Sequence, residues 1–432
     1  MKLLEPGSMT KTVHRAKYVL AEPDLLLQNA AVYISEPGRI SRVEPWDDEA
    51  ASSETDVIDW GAAMIMPGLV NAHAHLELTS LGNQLTQFSS FTDWIFQLVS
   101  RRRAWTDEDF LKSIREGVKR SITAGTTLVA DISSSATNWG AIEEHKLRRV
   151  VFKEVMGLSS SQAGEIISRF QNLWNHADSR SLLSYGVSPH APYTSSPELY
   201  RRAAELARSR RILLTTHVAE TRSELEFLET GEGEFRDFLN AMSALPPEWN
   251  PPRLAPIAYL DSLDVLGPFS LLAHCNYVDT ESMGRILGSR SSVVFCPRSH
   301  HFFGHQEHPV RQFLDSGVNV ALGTDSLASN TSLSMIDEMR FLFEKRRDIK
   351  AEEIFRAATL NGAAALDFGG SLGRLRQGYL ADMTVLEVPP NLGSRQLLSH
   401  VLEGAGECIG TIVHGKIAWQ KPESTVPEQA KS

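Results

Sequence analysis

The middle of the chain alternates short apolar runs with amphipathic stretches of helical period. Eight apolar runs can be counted: AAMIMPGLVNAH, TTLVADI, RVVFKEV, LLSYGVSP, RILLTTH, SLLAH, SSVVFCP and VNVALGTD. Several are separated by stretches such as DEDFLKSIREGVKRSITAG and SPELYRRAAELARSR, whose apolar residues recur at helical spacing. This repeated strand–helix order predicts an α/β protein, a (β/α)8 TIM barrel of parallel strands. Residues 231–267, joining the fifth strand to the sixth, form an unusually long connection with two Pro-Pro pairs, the kind that often carries a lid.

Both ends of the chain have a different texture. Residues 13–43 are short apolar runs broken by turn residues, and ADMTVLEV and ECIGTIVHGKIAWQ return to the same pattern, with His414 and Gly415 marking a hairpin turn. The two ends are expected to build one small β-sandwich domain, from residues 1–66 with 369–432, around a barrel of residues 67–368. The polar segment after Trp419, QKPESTVPEQAKS, reads as a frayed tail.

Composition narrows the function classes. A net charge of −10 leaves no excess of Lys and Arg for a phosphate backbone, so nucleic acid is not an expected partner. Three cysteines without a CxxC pair exclude a disulfide framework and point to a reducing, cytoplasmic setting. No apolar run is long enough for a signal peptide or a membrane span, so neither secretion nor a membrane partner is expected. A small-molecule substrate remains, with self-association into a homo-oligomer left open.

Chemistry in such a barrel gathers at the carboxyl ends of the strands. His73 and His75 end the first strand, His217 the fifth, His274 the sixth and Asp325 the eighth. Alternation along an extended strand brings both imidazoles of an HxH pair to one side. Imidazoles with a carboxylate suit one divalent ion, Zn²⁺ first, with Fe²⁺ accepting the same ligands. Glu220, just past the fifth strand, is a candidate for proton transfer; its bland alternative is a partner for a helix dipole. His190, ending the fourth strand, is a candidate substrate contact, as are Trp94, Arg298 and His301. The loop CPRSHHFFGHQEHP after the seventh strand reads as a pocket wall, with Arg298, His301 and Phe302 near the substrate and His300, His305 and His308 packed or solvated. His14, His145, His176, His400 and His414 lie away from strand ends and read as surface or core residues.

From MPGLVNAHAHLELT to LNGAAALDFGGSLGRLRQGYLADMTVLE the chain resembles the amidohydrolase superfamily. PHAPYT, the HxxE of HVAE, HCNY and GTDS resemble its branch of amino-heterocycle deaminases. Within that branch HAHLELT, FTDWIFQLVSRRR, GEGEFRDFLNAM and CPRS look most like aminodeoxyfutalosine deaminases of the alternative menaquinone pathway, and next like methylthioadenosine/S-adenosylhomocysteine deaminases. The resemblance implies a mononuclear centre held by His73, His75, His217 and Asp325, with Glu220, His274 and Asp325 catalytic. Asp325 would take a proton from an ion-activated water, His274 would orient that water, and Glu220 would protonate the ring nitrogen beside the amino-bearing carbon. For an aminodeoxyfutalosine-type substrate, Arg102, Arg103 or Arg298 could meet the carboxylate. Competing readings are an amidase or chlorohydrolase of the same superfamily and, more remotely, a scaffold without activity. A binuclear centre is disfavoured by His190 standing where amide-cleaving relatives carry a carboxylated lysine. The other zinc deaminase signature, with P-C-x-x-C, is absent.

Overall fold

A computed structural model describes residues 12–35, 37–47, 56–85, 87–135, 146–175, 182–390, 392–393 and 396–422. Two sheets organise it. The first is mixed and comes from the chain ends: β1 (Thr12–Glu22), β2 (Leu25–Ser35), β3 (Arg39–Pro45), β4 (Asp56–Asp59) and β5 (Ala63–Pro67) join β14 (Met383–Glu387), β15 (Cys408–Val413) and β16 (Lys416–Gln420). The second is the barrel, β6 (Leu69–Ala74), β7 (Thr126–Ser133), β8 (Arg148–Val155), β9 (Leu183–Pro189), β10 (Leu213–Val218), β11 (Ser270–His274), β12 (Ser292–Phe295) and β13 (Val320–Leu322), parallel throughout and in chain order. A parallel bridge between Ala74 and Asp325 links its first and last strands.

The run expected as the first barrel strand divides at Gly68. AMIMP pairs with β1 and β14 in the mixed sheet, and only LVNAHA enters the barrel. A Cβ at Gly68 would lie 2.0 Å from Thr127 Oγ1, so the chain passes between the sheets only without a side chain there. At the other end His414 and Gly415 both take positive φ, 51° and 73°, between β15 and β16, as the tight hairpin expected there requires. The tail expected from Gln420 onward starts later: Gln420 closes β16 and Lys421 N–H donates to Ile409 O at 3.0 Å, while residues 423–432, His145 and His176 lie outside the described residues.

Period-2 alternation fills the barrel: Leu128, Ala130 and Ile132 from β7, Val150 and Phe152 from β8, and Leu271 and Val294 form one buried cluster. Val151, Val187 and Leu214 belong to a larger cluster that takes in Leu199 and Tyr200 of the helix Pro197–Arg210. The two sheets are riveted by a buried ion pair in which Arg148 Nε and Nη2 donate to Asp382 at 3.0 and 3.2 Å, while Asp382 also accepts from the His414 N–H at 2.8 Å. Asp382→Ala strips a buried guanidinium of its carboxylate, so it is expected to cost about 3–5 kcal/mol, read as a fall in the thermal unfolding midpoint. An unchanged midpoint would show that the pair carries no such weight. Among the described residues, no helix is long and apolar enough to cross a membrane.

Candidate metal centre and active site

The mouth of the barrel is built from irregular strand ends. The register of β6 on β7 shifts between Asn71 and Ala74, the stretch that carries His73. Ala219, His274, Cys275 and Asp325 all have positive φ, between 51° and 72°. Each such non-glycine residue costs on the order of 1 kcal/mol and persists because neighbours hold it. Cys275 N–H donates to Val218 O at 3.0 Å, and Asp325 N–H to His73 O at 3.0 Å. A Cβ on Gly323 would meet the His73 backbone oxygen at 2.9 Å, and this close approach seats Asp325 beside His73.

These turns converge the strand-end residues. Ligand atoms of His73, His75 and Asp325 lie within 4.8 Å of one another, as do those of His73, His217 and His274. His75 Nε2 is 3.3 Å from His217 Nε2, and Asp325 Oδ1 is 3.7 Å from His73 Nε2 and 3.6 Å from His75 Nε2. Two nitrogens bound tetrahedrally at about 2.0–2.1 Å to one Zn²⁺ would stand about 3.3–3.4 Å apart, so the spacing fits a single ion. The donors fit as well. Both ring nitrogens of His73 are buried without a hydrogen-bond partner. His217 Nδ1 lies 2.8 Å from His190 O, which assigns the proton to Nδ1 and leaves the Nε2 lone pair facing the cluster.

Burial sets the charges. It lowers His75 and His274 well below the usual imidazole range and His217 to about 3, so these rings are neutral and open to an ion. Burial alone would raise the Asp325 carboxyl, but the imidazoles that face it, His73 first and then His274 and His75, outweigh it and hold the group well below its usual value. Its second oxygen accepts from Ser299 Oγ at 2.6 Å and Ser329 Oγ at 2.8 Å.

Glu220 Oε1 stands 3.6 Å from His274 Nε2. Burial first, then the charges of Asp325 and Glu224, raise its carboxyl well above the ordinary range, which makes it a neutral acid. Its backbone is clamped: Glu224 accepts from the N–H groups of Ala219 at 3.0 Å and Glu220 at 2.8 Å, and Asn276 Nδ2 donates to Glu220 O at 2.9 Å. Thr221 caps the helix Arg222–Thr230, so Glu220 precedes that helix rather than serving its dipole. His300 Nδ1 meets Asn276 Oδ1 at 3.0 Å and His308 Nε2 meets His274 O at 2.8 Å, so these two loop histidines brace the site from behind.

Above the cluster lies a cavity of about 340 Å³. His75, His190, His217, Glu220, His274 and Asp325 line its polar end, and Phe91, Trp94, Ile95 and Leu98 of the helix Phe91–Arg102 line its apolar wall. Phe238, Leu239, Met242 and Ala244 of the long 231–267 connection, where a lid was expected, line it too, and Phe238 and Leu239 pack in one cluster with Phe91 and Ile95.

Arg298 and His301 are not brought to this cavity. Both sit on the short helix Pro297–Phe302, whose inward residue is Ser299. Arg298 donates to Thr331 Oγ1 and stands 3.9 Å from Asp337, while the exposed His301 ring lies 5.2 Å from Phe341. Arg102, by contrast, does line the cavity and pairs with the buried Glu77 at 3.1 Å. Glu154 at the end of β8 also lines it, unforeseen from the sequence although it continues the inward alternation of Val150 and Phe152.

The chain matches the amidohydrolase family model over residues 64–418. It is 29% identical over 437 residues, 92% of this chain and 93% of the relative, to a 5-methylthioadenosine/S-adenosylhomocysteine deaminase of Syntrophobacter fumaroxidans. The crystal structure of an adenosine deaminase from Xanthomonas campestris with bound zinc superposes with a TM-score of 0.82 at 24% identity, covering 95% of this chain and 93% of that one. Helicobacter pylori aminofutalosine deaminase in complex with methylthio-coformycin gives 0.83 at 22% identity, covering 94% and 100%. With strand-end histidines gathered at the mouth of such a barrel, and a family match that spans it, the chain belongs to the amidohydrolase family and is a hydrolase of carbon–nitrogen bonds.

Proposed function

We propose that the chain is a metal-dependent deaminase that releases ammonia from an amino-heterocycle, an adenine-nucleoside-like one. 6-Amino-6-deoxyfutalosine is the substrate favoured by the sequence motifs, and 5-methylthioadenosine or S-adenosylhomocysteine is the pair named for the S. fumaroxidans relative. The observation that carries the reading is the Glu220 carboxyl, raised well above its usual range by burial and set 3.6 Å from His274 Nε2, at the end of a cavity that Asp325 also lines and that has an aromatic wall.

His73, His75, His217 and Asp325 would hold one divalent ion, Zn²⁺ by donor preference and Fe²⁺ as the alternative. When bound, such an ion acidifies a water molecule enough to make it a nucleophile near neutral pH. Glu220 gives its proton to the ring nitrogen of the amidine, which leaves the adjacent carbon electron-poor. His274 holds the attacking oxygen towards that carbon, and Asp325 accepts the proton it sheds. The carbon gains the oxygen of water, the amino group leaves as ammonia, and a lactam remains. Phe91 and Trp94 give the ring an apolar face to lie on.

The test follows ammonia release and the ultraviolet shift over a panel of amino-purine and amino-pyrimidine compounds. Exhaustive chelation is expected to abolish turnover, and Zn²⁺ or Fe²⁺ to restore it. Amide or chloride cleavage with no ammonia from any panel member would replace the deaminase reading by the competing hydrolase.

A further inference from the structure

Glu338 is a buried carboxyl that the proposed chemistry leaves unused. It is 0% exposed on the helix Met335–Lys345, whose Met335, Met339 and Leu342 join the largest core cluster. Its own helix does not need it: Ser334 Oγ accepts the Asp337 N–H at 3.2 Å, and Ser334 O accepts the Glu338 N–H at 3.2 Å. The carboxyl reaches to two other segments instead. Oε1 accepts from Asn330 Nδ2 at 2.6 Å and Oε2 from the Arg298 N–H at 3.0 Å. Burial raises the group to about 8 while these two donors pull it down, and acceptance at both oxygens does not depend on its charge.

The two partners flank the serines that grip Asp325. Arg298 directly precedes Ser299 on the helix Pro297–Phe302, and Asn330 directly follows Ser329 in the turn after β13. The two hydroxyl oxygens lie 3.0 Å apart and converge on Asp325 Oδ2. Asn330 also closes the turn around Asp325, since its Nδ2 donates to Thr324 O at 2.7 Å and its Oδ1 accepts the Thr331 N–H at 2.7 Å. Glu338 thus bridges both serine-bearing segments. With Oδ2 taken by two hydroxyls, Oδ1 is the oxygen turned to His73 and His75.

We propose that Glu338 is a positioning residue for the metal centre: through Asn330 and the Arg298 N–H it keeps Ser329 and Ser299 on one oxygen of Asp325 and reserves the other for the ion. It touches neither the ion nor the substrate. The proposal rests on Asp325 as a ligand and is independent of which heterocycle is turned over. A purely structural Glu338 would support the fold and nothing more, so the test reads the metal.

Glu338→Gln keeps the shape and removes one acceptor. Asn330 cannot turn its amide to compensate, because its Oδ1 is held by the Thr331 N–H, so one of the two contacts becomes donor against donor. Zn²⁺ affinity, measured by chelator competition, is expected to fall about 10–100-fold, the range for partners behind a ligand. The visible spectrum of the Co²⁺-loaded protein is expected to change with it. Met339→Ala, a core truncation one residue further along the same helix, is expected to lower the thermal midpoint and leave affinity and spectrum at wild type. In a Ser299→Ala/Ser329→Ala background, Glu338→Gln is expected to cost less than about threefold more in affinity, since the hydroxyls it holds are gone. Wild-type affinity in Glu338→Gln, an equal loss in Met339→Ala, or an undiminished loss in the serine-free background would overturn the proposal and leave the metal centre standing. No uptake of either ion by wild type would overturn both. If Glu338→Gln does not fold, Glu338→Asp, which keeps both acceptors but draws them back by about 1.5 Å, enters the same cycle under the same outcomes.

Discussion

His73→Ala is expected to strip the protein of its metal and to lower turnover by more than about two orders of magnitude, since even partners behind a ligand cost 10–100-fold when lost. The argument rests on two buried ring nitrogens that no protein group satisfies. Without an ion the substitution has opposing effects on stability: it removes unsatisfied polar atoms, which relieves a penalty, and it leaves a hole, which imposes one. The apo thermal midpoint should therefore move little. With Zn²⁺ added, wild type gains stability in proportion to its binding and the variant does not. Elemental analysis and unfolding with and without Zn²⁺ read both effects, and wild-type metal content in His73→Ala would remove this residue from the ligand set.

What the sequence revealed of this site follows from strand geometry. A polar residue ending an apolar run must lie at the barrel mouth, because the run before it is buried between helices and barrel interior. His73, His75, His217, His274 and Asp325 all meet there for that reason. The same rule reaches Glu154, whose alternation with Val150 and Phe152 points it inward, but FKEV closes on an apolar residue and disguises the position. Helical positions were less legible. On the helix Pro297–Phe302 the residues turn about 100° at each step, and nothing local says which faces in. The answer is Ser299, hydrogen-bonded to Asp325, while Arg298 and His301 turn outward. Arg102 was one of three candidate cations, with Arg103 and Arg298, and its pairing with Glu77 singles it out. That partner lies inside HAHLELT, 25 residues away, a contact no spacing rule anticipates.

The clamp behind Glu220 was also hidden. Glu224 reads as an ordinary first-turn acid, yet its carboxylate takes the Ala219 and Glu220 N–H groups and so holds a left-handed turn that no side-chain preference supports. The strain at Ala219 and the satisfied carboxylate are two halves of one device: the turn aims the Glu220 side chain at His274, and the acceptor stops it relaxing.

This device sets the second large effect. Glu220→Gln is expected to lower kcat by about 10²–10⁴-fold, the range of a lost acid-base group, with KM and metal content near wild type. The sign follows from the resting charge. Burial and the charges of Asp325 and Glu224 keep Glu220 protonated, so glutamine replaces a neutral acid by a neutral amide of the same shape, and neither the metal ligands nor the backbone clamp lose a partner. What disappears is a proton that can be given to the ring nitrogen and later recovered. Glu220→Asp keeps that proton but draws it back by one methylene, about 1.5 Å, so it should fall between the two, as misplacement of a competent group does. Single-turnover kinetics beside metal analysis would measure both variants. Normal turnover in Glu220→Gln would remove Glu220 from proton transfer and leave the metal centre intact, whereas loss of metal in it would recast Glu220 as part of the ion's own shell.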